Sequence, residues 1–471
     1  MFVANAPQQR YYNTSDTEFE VQSSKFRVQS LGQDKRQKTK DKGWWLLNAK
    51  RLPAQSSVLC LLSSVLRKKY DILPRVSKIL VIVERFYPED FLVNDLVAEW
   101  KRLGDEVEVL TQVPSYPFDR IYDGYKNKAY QTTREYLDIP VHRVSTIFGY
   151  NASVKRKVLN YLHFGWMTFW WALWNGRKYD RVFVYHTAAL TMASALFALK
   201  TVWRKPTAIW TQDLWPDAVW GFGFRRTRFR EALLNWFVRR IYKRCDRICV
   251  SCRGFVARIR ELCKREAEFV PQWDPAPMEL PPAPPYAGLV FMLAGNLGVP
   301  QDLDNVLEGF TRADIPDAEL HFVGGGVQLE HLKEKANASG ARAVFHGRQP
   351  KADMPRWFAQ ADALIISLTP EYQLTLPGKF QSYIKTGKPI LGILLGDARE
   401  LIEEHQLGVT APPNDLDAIA DAFRRMAELI KRGAGPACGA RARQLSEEMF
   451  DRTRLIAALR DGPEKDVGRR T

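Results

Sequence analysis

The chain alternates short, continuous apolar runs with stretches in which apolar residues recur every three or four positions. The runs include Lys78 to Val83, Val107 to Thr111, Asp180 to His186, Ala208 to Gln212, Leu289 to Ala294, Leu320 to Val323 and Ala363 to Leu368. They are short for helices and apolar on both faces, so they read as buried strands of parallel sheets. Helical spacing falls between them: Asn94 to Leu103 with Gly104 as its stop, Leu303 to Phe310, and a helix opened by Asp353-Met354-Pro355. A helix over Glu231 to Tyr242 turns Leu233, Leu234, Phe237 and Ile241 inward, and helices over about 416–432 and 440–460 close the chain. Strand–helix–strand order predicts an α/β fold.

Punctuation divides this pattern. Pro271 to Pro285 carries seven prolines and reads as a linker. The predicted units are 78–270, the linker 271–286, a second α/β unit over 287–440, a closing helix over 441–463 and a polar tail over 464–471. Met1 to about Lys42 is polar and aperiodic and reads as disordered. Val58 to Leu66 is a short apolar run before Arg67-Lys68-Lys69; it lies too deep in the chain for a signal peptide and lacks a small-residue cleavage site. A surface-seeking segment, or a start site assigned too far upstream, accounts for the first 75 residues, to which no function is assigned.

The chemistry concentrates in Leu374 to Leu391, LTLPGKFQSYIKTGKPIL. It follows the strand at Ala363–Leu368. Pro377-Gly378-Lys379 marks a helix start and Gly387 its stop. A strand, a tight turn and a helix N-terminus together form an anion site, because free N–H groups and the positive dipole end point outward. Lys379 adds a charge-assisted donor, and the combination suits a diphosphate. An ordinary strand–helix turn with a solvated lysine would carry the same residues.

Composition supports a globular protein with cores: 471 residues, 46% hydrophobic and 26% charged. The net charge of +16 fits an anionic small substrate, an anionic membrane face or nucleic acid. The six cysteines are sparse and uneven, unlike a secreted disulfide framework, which points to a cytoplasmic protein. Cys245, Cys249 and Cys252 have cluster-like spacing, but they read as a helix end entering a buried strand. No G-x-G-x-x-G follows the first strand, which argues against a dehydrogenase. No run of eighteen uncharged apolar residues predicts a spanning helix.

Two segments could touch a membrane. Tyr161 to Trp174, YLHFGWMTFWWALW, lies between Lys155-Arg156-Lys157 and Arg177-Lys178. Its aromatics beside basic residues suit either a core helix or the headgroup layer, or both on different faces. Phe224 to Arg247 carries Arg225, Arg226, Arg228, Arg230, Arg239, Arg240, Lys243 and Arg244; it reads as a helix with a solvated cationic face or as a patch for anionic lipid.

Pro377-Gly378-Lys379-Phe380-Gln381-Ser382-Tyr383 with Gly387-Lys388-Pro389-Ile390 resembles the nucleotide-diphosphate segment of family-4 retaining glycosyltransferases of the GT-B fold. The K-x-Q-S-Y form is closest to the WbuB-like branch, which builds bacterial surface polysaccharide. Phe86-Tyr87-Pro88-Glu89, Asp213-Leu214-Trp215-Pro216-Asp217 and Gly295-Asn296-Leu297-Gly298 with Gln301 resemble further segments of that branch, in the family's order. Many relatives carry a glutamate pair two helical turns apart; Leu374 and Ser382 stand there in this chain, so Ser382 or Gln381 would replace the carboxylate on the nucleotide ribose.

The resemblance implies two Rossmann-like domains facing a cleft, with the last helix crossing back to the first domain. It also implies transfer of a sugar from a nucleoside diphosphate. His186, Asp213, Glu371 and Lys379 are the candidate catalytic residues. Gly295, Asn296, Gly298, Gln301, Gly347, Arg348, Gln349, Pro377, Gly378, Lys379, Phe380, Gln381 and Ser382 are the candidate nucleotide-sugar contacts. No cofactor or metal is expected, since the donor loops read here contain no D-x-D. The implied partners are a nucleotide sugar, a saccharide or polyprenyl-diphosphate-linked acceptor and an anionic membrane surface, with no specific nucleic acid. The implied location is the cytoplasmic face of the plasma membrane. A GT-B nucleotide-sugar epimerase, or a basic membrane- or nucleic-acid-binding protein without catalysis, are the alternatives.

Overall fold

The structure, a computed structural model, describes residues 77–150, 153–217, 219, 226–276, 278–283 and 288–462. The readings of residues 1–75, of the tail 464–471 and of Phe224 and Arg225 lie outside them.

Two sheets organise the chain. The first contains β1 (Lys78–Ile82), β2 (Glu106–Gln112), β3 (Tyr130–Thr133), β4 (Val141–Val144), β5 (Arg181–His186), β6 (Thr207–Thr211), β7 (Arg247–Val250) and β8 (Glu268–Phe269), in the order β3-β4-β2-β1-β5-β6-β7-β8. The second contains β9 (Leu289–Ala294), β10 (Ala318–Val323), β11 (Ala343–Gly347), β12 (Ala363–Ser367), β13 (Ile390–Ile393) and β14 (Gly408–Ala411), in the order β11-β10-β9-β12-β13-β14. All pairs are parallel except β3 with β4. The central strands are apolar on both faces because helices cover both; Ile79, Leu80, Val81 and Ile82 are fully buried. Each sheet reverses direction beside its first strand, between β1 and β5 and between β9 and β12. In open α/β sheets ligands bind at such switch points, outside the strands' C-terminal ends. This is the GT-B fold.

The halves are joined by buried contacts. The Gly254 N–H at the start of helix Arg253–Cys263 donates to both carboxylate oxygens of Asp397, at 3.1 and 3.0 Å, and the Leu376 N–H donates to Cys252 Sγ at 3.1 Å. The end of the chain differs from the single closing helix expected. Helix Gly435–Met449 stops at Phe450, and Asp451 caps a separate helix, Arg452–Asp461, by accepting from the Arg454 N–H at 2.6 Å. The break turns Leu455, Ile456 and Leu459 into the core of the first sheet. Arg452 pairs there with Asp95 at 2.8 Å and Glu99 at 3.1 Å, and Arg460 with Asp105 at 2.5 Å.

The aromatic helix is longer than Tyr161 to Trp174: it spans Val154–Asn175, with Ser153 as its N-cap. Tyr161, Phe164, Trp171 and Ala172 face the core, whereas Leu159, Leu162, Trp166 and Trp174 face outward. The basic helix, Arg228–Arg244, buries Val238, Ile241 and Tyr242. Leu233 faces solvent instead of the core, because the buried stripe is only as wide as the contacts with helices Ala189–Phe197 and Arg253–Cys263. Cys245, Cys249 and Cys252 are buried thiols, each pushed up to about 12 by burial, and they form no cluster.

Candidate active site

The switch point of the second sheet opens onto a cavity of about 750 Å³. Its walls come from the loop after β9 (Gly295, Asn296), the loop after β10 (Gly324, Gly325), the turn after β11 (Arg348, Gln349), Lys351, and helix Gly378–Thr386 through Gly378, Lys379 and Ser382.

The segment Lys379 to Tyr383 divides its work by side chain. The Tyr383 hydroxyl accepts from the Ala294 N–H at 2.8 Å and sits 3.2 Å from the Ala294 carbonyl, so it bolts the helix to the end of β9. The Gln381 amide is buried; in the orientation that satisfies both its ends, its nitrogen donates back to the carbonyls of Pro377 at 2.9 Å and Gly378 at 3.0 Å, which fixes the turn. Phe380 is fully buried, with its ring 5.9 Å from that of Phe450. Ser382 faces the cavity.

Lys379 is the exception to satisfied polarity. Its ammonium nitrogen is sealed from solvent and has no hydrogen-bond partner among the described residues. Burial lowers its pKa to about 8, and no carboxylate opposes the shift. A buried polar group without a partner costs roughly 1–3 kcal/mol, more when charged. The stem lies against the first loop, so that a methyl group at Gly295 would meet Lys379 Cε at 3.0 Å. The glycine run after β10 permits the close packing of this wall. A Cβ on Gly324 would lie 1.8 Å from the Gly295 carbonyl oxygen, and one on Gly326 would lie 2.2 Å from that of Leu297.

Several candidate contacts stand elsewhere. Gly298 is buried behind the loop, and its N–H donates to Gln301 Oε1 at 2.8 Å, so that amide is spent within the loop. Gly347 turns the chain at φ +67, which brings Arg348 and Gln349 to the wall; Gln349 donates to the His346 carbonyl at 2.7 Å. Asp302-Leu303-Asp304 does spell D-x-D next to the loop, but it is engaged outside the cavity. Asp302 accepts from Asn305 at 2.8 Å, and Asp304 bonds His331 at 2.8 Å and Lys335 at 3.2 Å. Among the described residues no group of three or more His, Cys, Asp or Glu side chains is placed to hold a metal ion.

Across the cleft, His186 ends β5 at the first sheet's switch point but is fully buried. Neither ring nitrogen has a partner among the described residues, and burial lowers its pKa to about 4, so the ring is neutral and closed off from the cavity. Its ring centroid is 5.9 Å from that of Tyr242. Asp213 is exposed in the cleft; the cleft walls around it raise its carboxyl above the usual range, and the Lys157 ammonium pulls the other way. Its charge also acts on Tyr372, which shares the turn Pro370–Tyr372 with Glu371. Glu371 is exposed, and a Thr369 hydrogen bond holds its carboxyl below the usual range.

The sequence reading missed a buried charge cluster at the same edge. Glu84 and Arg85 follow β1 and pair at 3.2 Å, and Arg85 reaches Glu89 at 3.4 Å. Glu89 accepts from the N–H groups of Ser115 at 2.8 Å and Tyr116 at 2.6 Å, which clamps the loop after β2. Charged residues directly after a buried strand were the available signal.

Comparison with known proteins places these features. Residues 92–273 match the model of the glycosyl transferase 4-like domain, and residues 288–428 match that of glycosyl transferases group 1. A probable glycosyltransferase, WbjE of Pseudomonas aeruginosa, is 29% identical over 205 residues, which is 40% of this chain and 51% of that protein. The chain thus aligns with about half the length of the curated relative. Sucrose-phosphate synthase from Thermosynechococcus elongatus superimposes with a TM-score of 0.62 at 14% identity, covering 81% of this chain and 97% of that one. Anabaena HepE in complex with UDP gives 0.61 at 14% identity, with 81% and 98% covered.

Proposed function

We propose that this chain, which carries the domains and the GT-B fold of glycosyltransferases, moves a sugar with retention of configuration from a nucleoside-diphosphate sugar to a saccharide acceptor, in surface-polysaccharide synthesis of the WbuB-like kind. The observation that carries the reading is the unpaired, sealed ammonium of Lys379 at the cavity wall, beside a helix N-terminus. A protein keeps such a group where a ligand completes it, and a diphosphate is the ligand whose charge matches. Arg348 and Lys351 add to the cationic wall. The UDP in the Anabaena structure supports the ligand class.

In the reaction, the bond between the anomeric carbon and the β-phosphate oxygen breaks, and its electron pair stays on the diphosphate. The acceptor oxygen bonds the anomeric carbon, and its proton passes to the departing diphosphate oxygen. The transition state is oxocarbenium-like on the sugar and anionic on the leaving group, so stabilising the departing diphosphate is the main demand. Lys379 and the amides of its turn meet that demand. Asp213 stands across the cleft as the acceptor-side carboxylate, with Glu371 opposite. Buried His186 acts by supporting the strand end rather than by touching the sugar.

The charges that stabilise the leaving group belong to side chains and the helix end, so transfer is expected to proceed without a metal. Initial rates measured with EDTA should stay within about twofold of those without it; a strict need for magnesium or manganese would overturn the assignment of Lys379 to the diphosphate.

The outward face of helix Val154–Asn175 bears on the acceptor. Trp166 is 60% and Trp174 72% exposed, with Trp170 between them at 5.5 and 5.3 Å. Helix Ala189–Phe197 packs against both this helix and Arg228–Arg244, and the latter exposes Phe229, Leu233 and Trp236. Arg240 lies over Trp236 at 4.8 Å and Arg244 over Phe197 at 5.7 Å. No helix among the described residues is long and apolar enough to cross a membrane. Aromatics interleaved with basic residues suit the headgroup layer, where a polyprenyl-linked acceptor would present its sugar.

A further inference from the structure

Among the described residues, the cavity beside Lys379 has three basic residues in its wall (Arg348, Lys351 and Lys379) and a single carboxylate, Asp274, which belongs to the linker and not to either sheet. A second cavity, of about 460 Å³, adjoins the first and shares Asp274, Pro275, Lys351, Gly378 and Ser382 with it. Asp274 therefore stands where the two meet.

Its position is fixed from both sides. The preceding Trp273 donates from its indole to Asp95 at 2.7 Å and stacks on Trp210, centroids 5.4 Å apart and planes 6° from parallel. The Asp274 carbonyl accepts from Lys385 Nζ at 2.9 Å, and Lys385 also reaches the Ala276 carbonyl. The linker is thus tied to the first sheet's helices by its tryptophan, and to the helix of Lys379 by Lys385. Of the carboxylate oxygens, Oδ1 accepts from the Ala276 N–H at 2.9 Å, and Oδ2 has no partner among the described residues. Asp274 forms no ion pair with any of the three basic residues; Lys351 instead pairs with Asp90.

We propose that Asp274 takes the sugar hydroxyls of the nucleotide, with the Ser382 hydroxyl beside it. The proposal rests on the nucleoside-diphosphate reading of the cavity and adds a ligand to it. An ionised carboxylate only accepts hydrogen bonds, so in this cavity its partner must be a donor. A nucleoside diphosphate offers anionic oxygens, which Lys379 draws, the N–H groups of its base, and on its ribose a pair of neighbouring hydroxyl donors whose spacing suits a carboxylate; the dideoxy comparison below separates the ribose from the base. Nucleotide-binding α/β sheets hold ribose hydroxyls with a carboxylate in this way. Helix Gly378–Thr386 has no carboxylate to offer, and the linker supplies one. Because Trp273 anchors the same linker to the other half, nucleotide bound here also bears on how the halves are held.

The test is calorimetric titration of the full chain with UDP, GDP and ADP, each against its 2′,3′-dideoxy counterpart. Wild type should bind at least one ribonucleotide about tenfold or more tighter than its dideoxy form, the scale of a hydrogen bond to a charged group. Asp274→Ala and Asp274→Asn should lose most of that preference; the asparagine keeps an oxygen for the Ala276 N–H and so keeps the linker turn. Lys379→Ala should weaken both forms alike and preserve their ratio. A ribose preference that survives in both Asp274 variants, or wild-type binding without any preference, overturns the assignment of Asp274. Failure of every nucleoside diphosphate to bind wild type overturns the functional reading itself.

Discussion

Lys379→Ala lowers the rate of sugar transfer at least about a hundredfold, the loss that accompanies removal of one preorganised charge stabiliser. The protein stays folded, with a melting temperature at pH 7 no lower than that of wild type. The reason lies in the sign of the burial effect. Lys379 titrates near 8 in the fold against 10.5 for a free lysine, so the unfolded chain binds more protons between those values. Its ammonium therefore opposes folding below about pH 8, and stability owed to this residue rises with pH through the window. Affinity runs the opposite way: nucleoside diphosphate binding by wild type weakens as pH rises through 8, because the charge is lost, and the alanine variant lacks this dependence. Thermal melts and titrations from pH 7 to 9.5 check both signs. A variant with near-normal turnover would remove Lys379 from the mechanism.

Trp166→Ala/Trp174→Ala/Trp236→Ala lowers partitioning onto anionic vesicles at least about a hundredfold. Apolar area withdrawn from water contributes about 25 cal/mol per Å², so three largely exposed indoles account for several kcal/mol. Basic residues near the surface add roughly 1 kcal/mol each. The two contributions separate in salt: raising ionic strength weakens wild-type binding without abolishing it. Trp171 is a poor probe of this surface, since it is buried and its loss would test packing. Co-sedimentation with vesicles of varied anionic content is the measurement. If wild type ignores anionic vesicles at low salt, the exposed face has another purpose and the acceptor is not presented from a membrane.

The strands were legible because burial on both faces leaves uninterrupted apolar runs, and the helix start at Gly378 because Pro377-Gly378-Lys379 follows such a run and Pro and Gly punctuate a helix's beginning. Legibility failed where side-chain direction decides the outcome. Phe380, Gln381 and Lys379 are neighbours in one motif, yet one fills the core, one ties the turn and one lines the cavity wall with its ammonium sealed behind it. Gly298 carries an amide that looks free in sequence but is satisfied by Gln301 three residues on. His186 occupies the strand end at which ligands bind, but the packing of Tyr242 and its neighbours encloses it. Asp274 lines both cavities from a proline-rich linker, where composition speaks only of chain stiffness. Leu233 was assigned inward on spacing alone, while the width of the buried stripe depends on partner helices that the local sequence does not specify.

The claim that a nucleoside-diphosphate sugar completes the Lys379 site is tested most directly by thermal melts of wild type and Lys379→Ala across a panel of such sugars. A ligand at about a hundred times its dissociation constant adds about 2.7 kcal/mol. The account predicts that at least one nucleotide sugar raises the wild-type melting temperature by a few degrees and leaves the variant nearly unmoved. Stabilisation of both proteins alike, or of neither by any member at millimolar concentration, would contradict it.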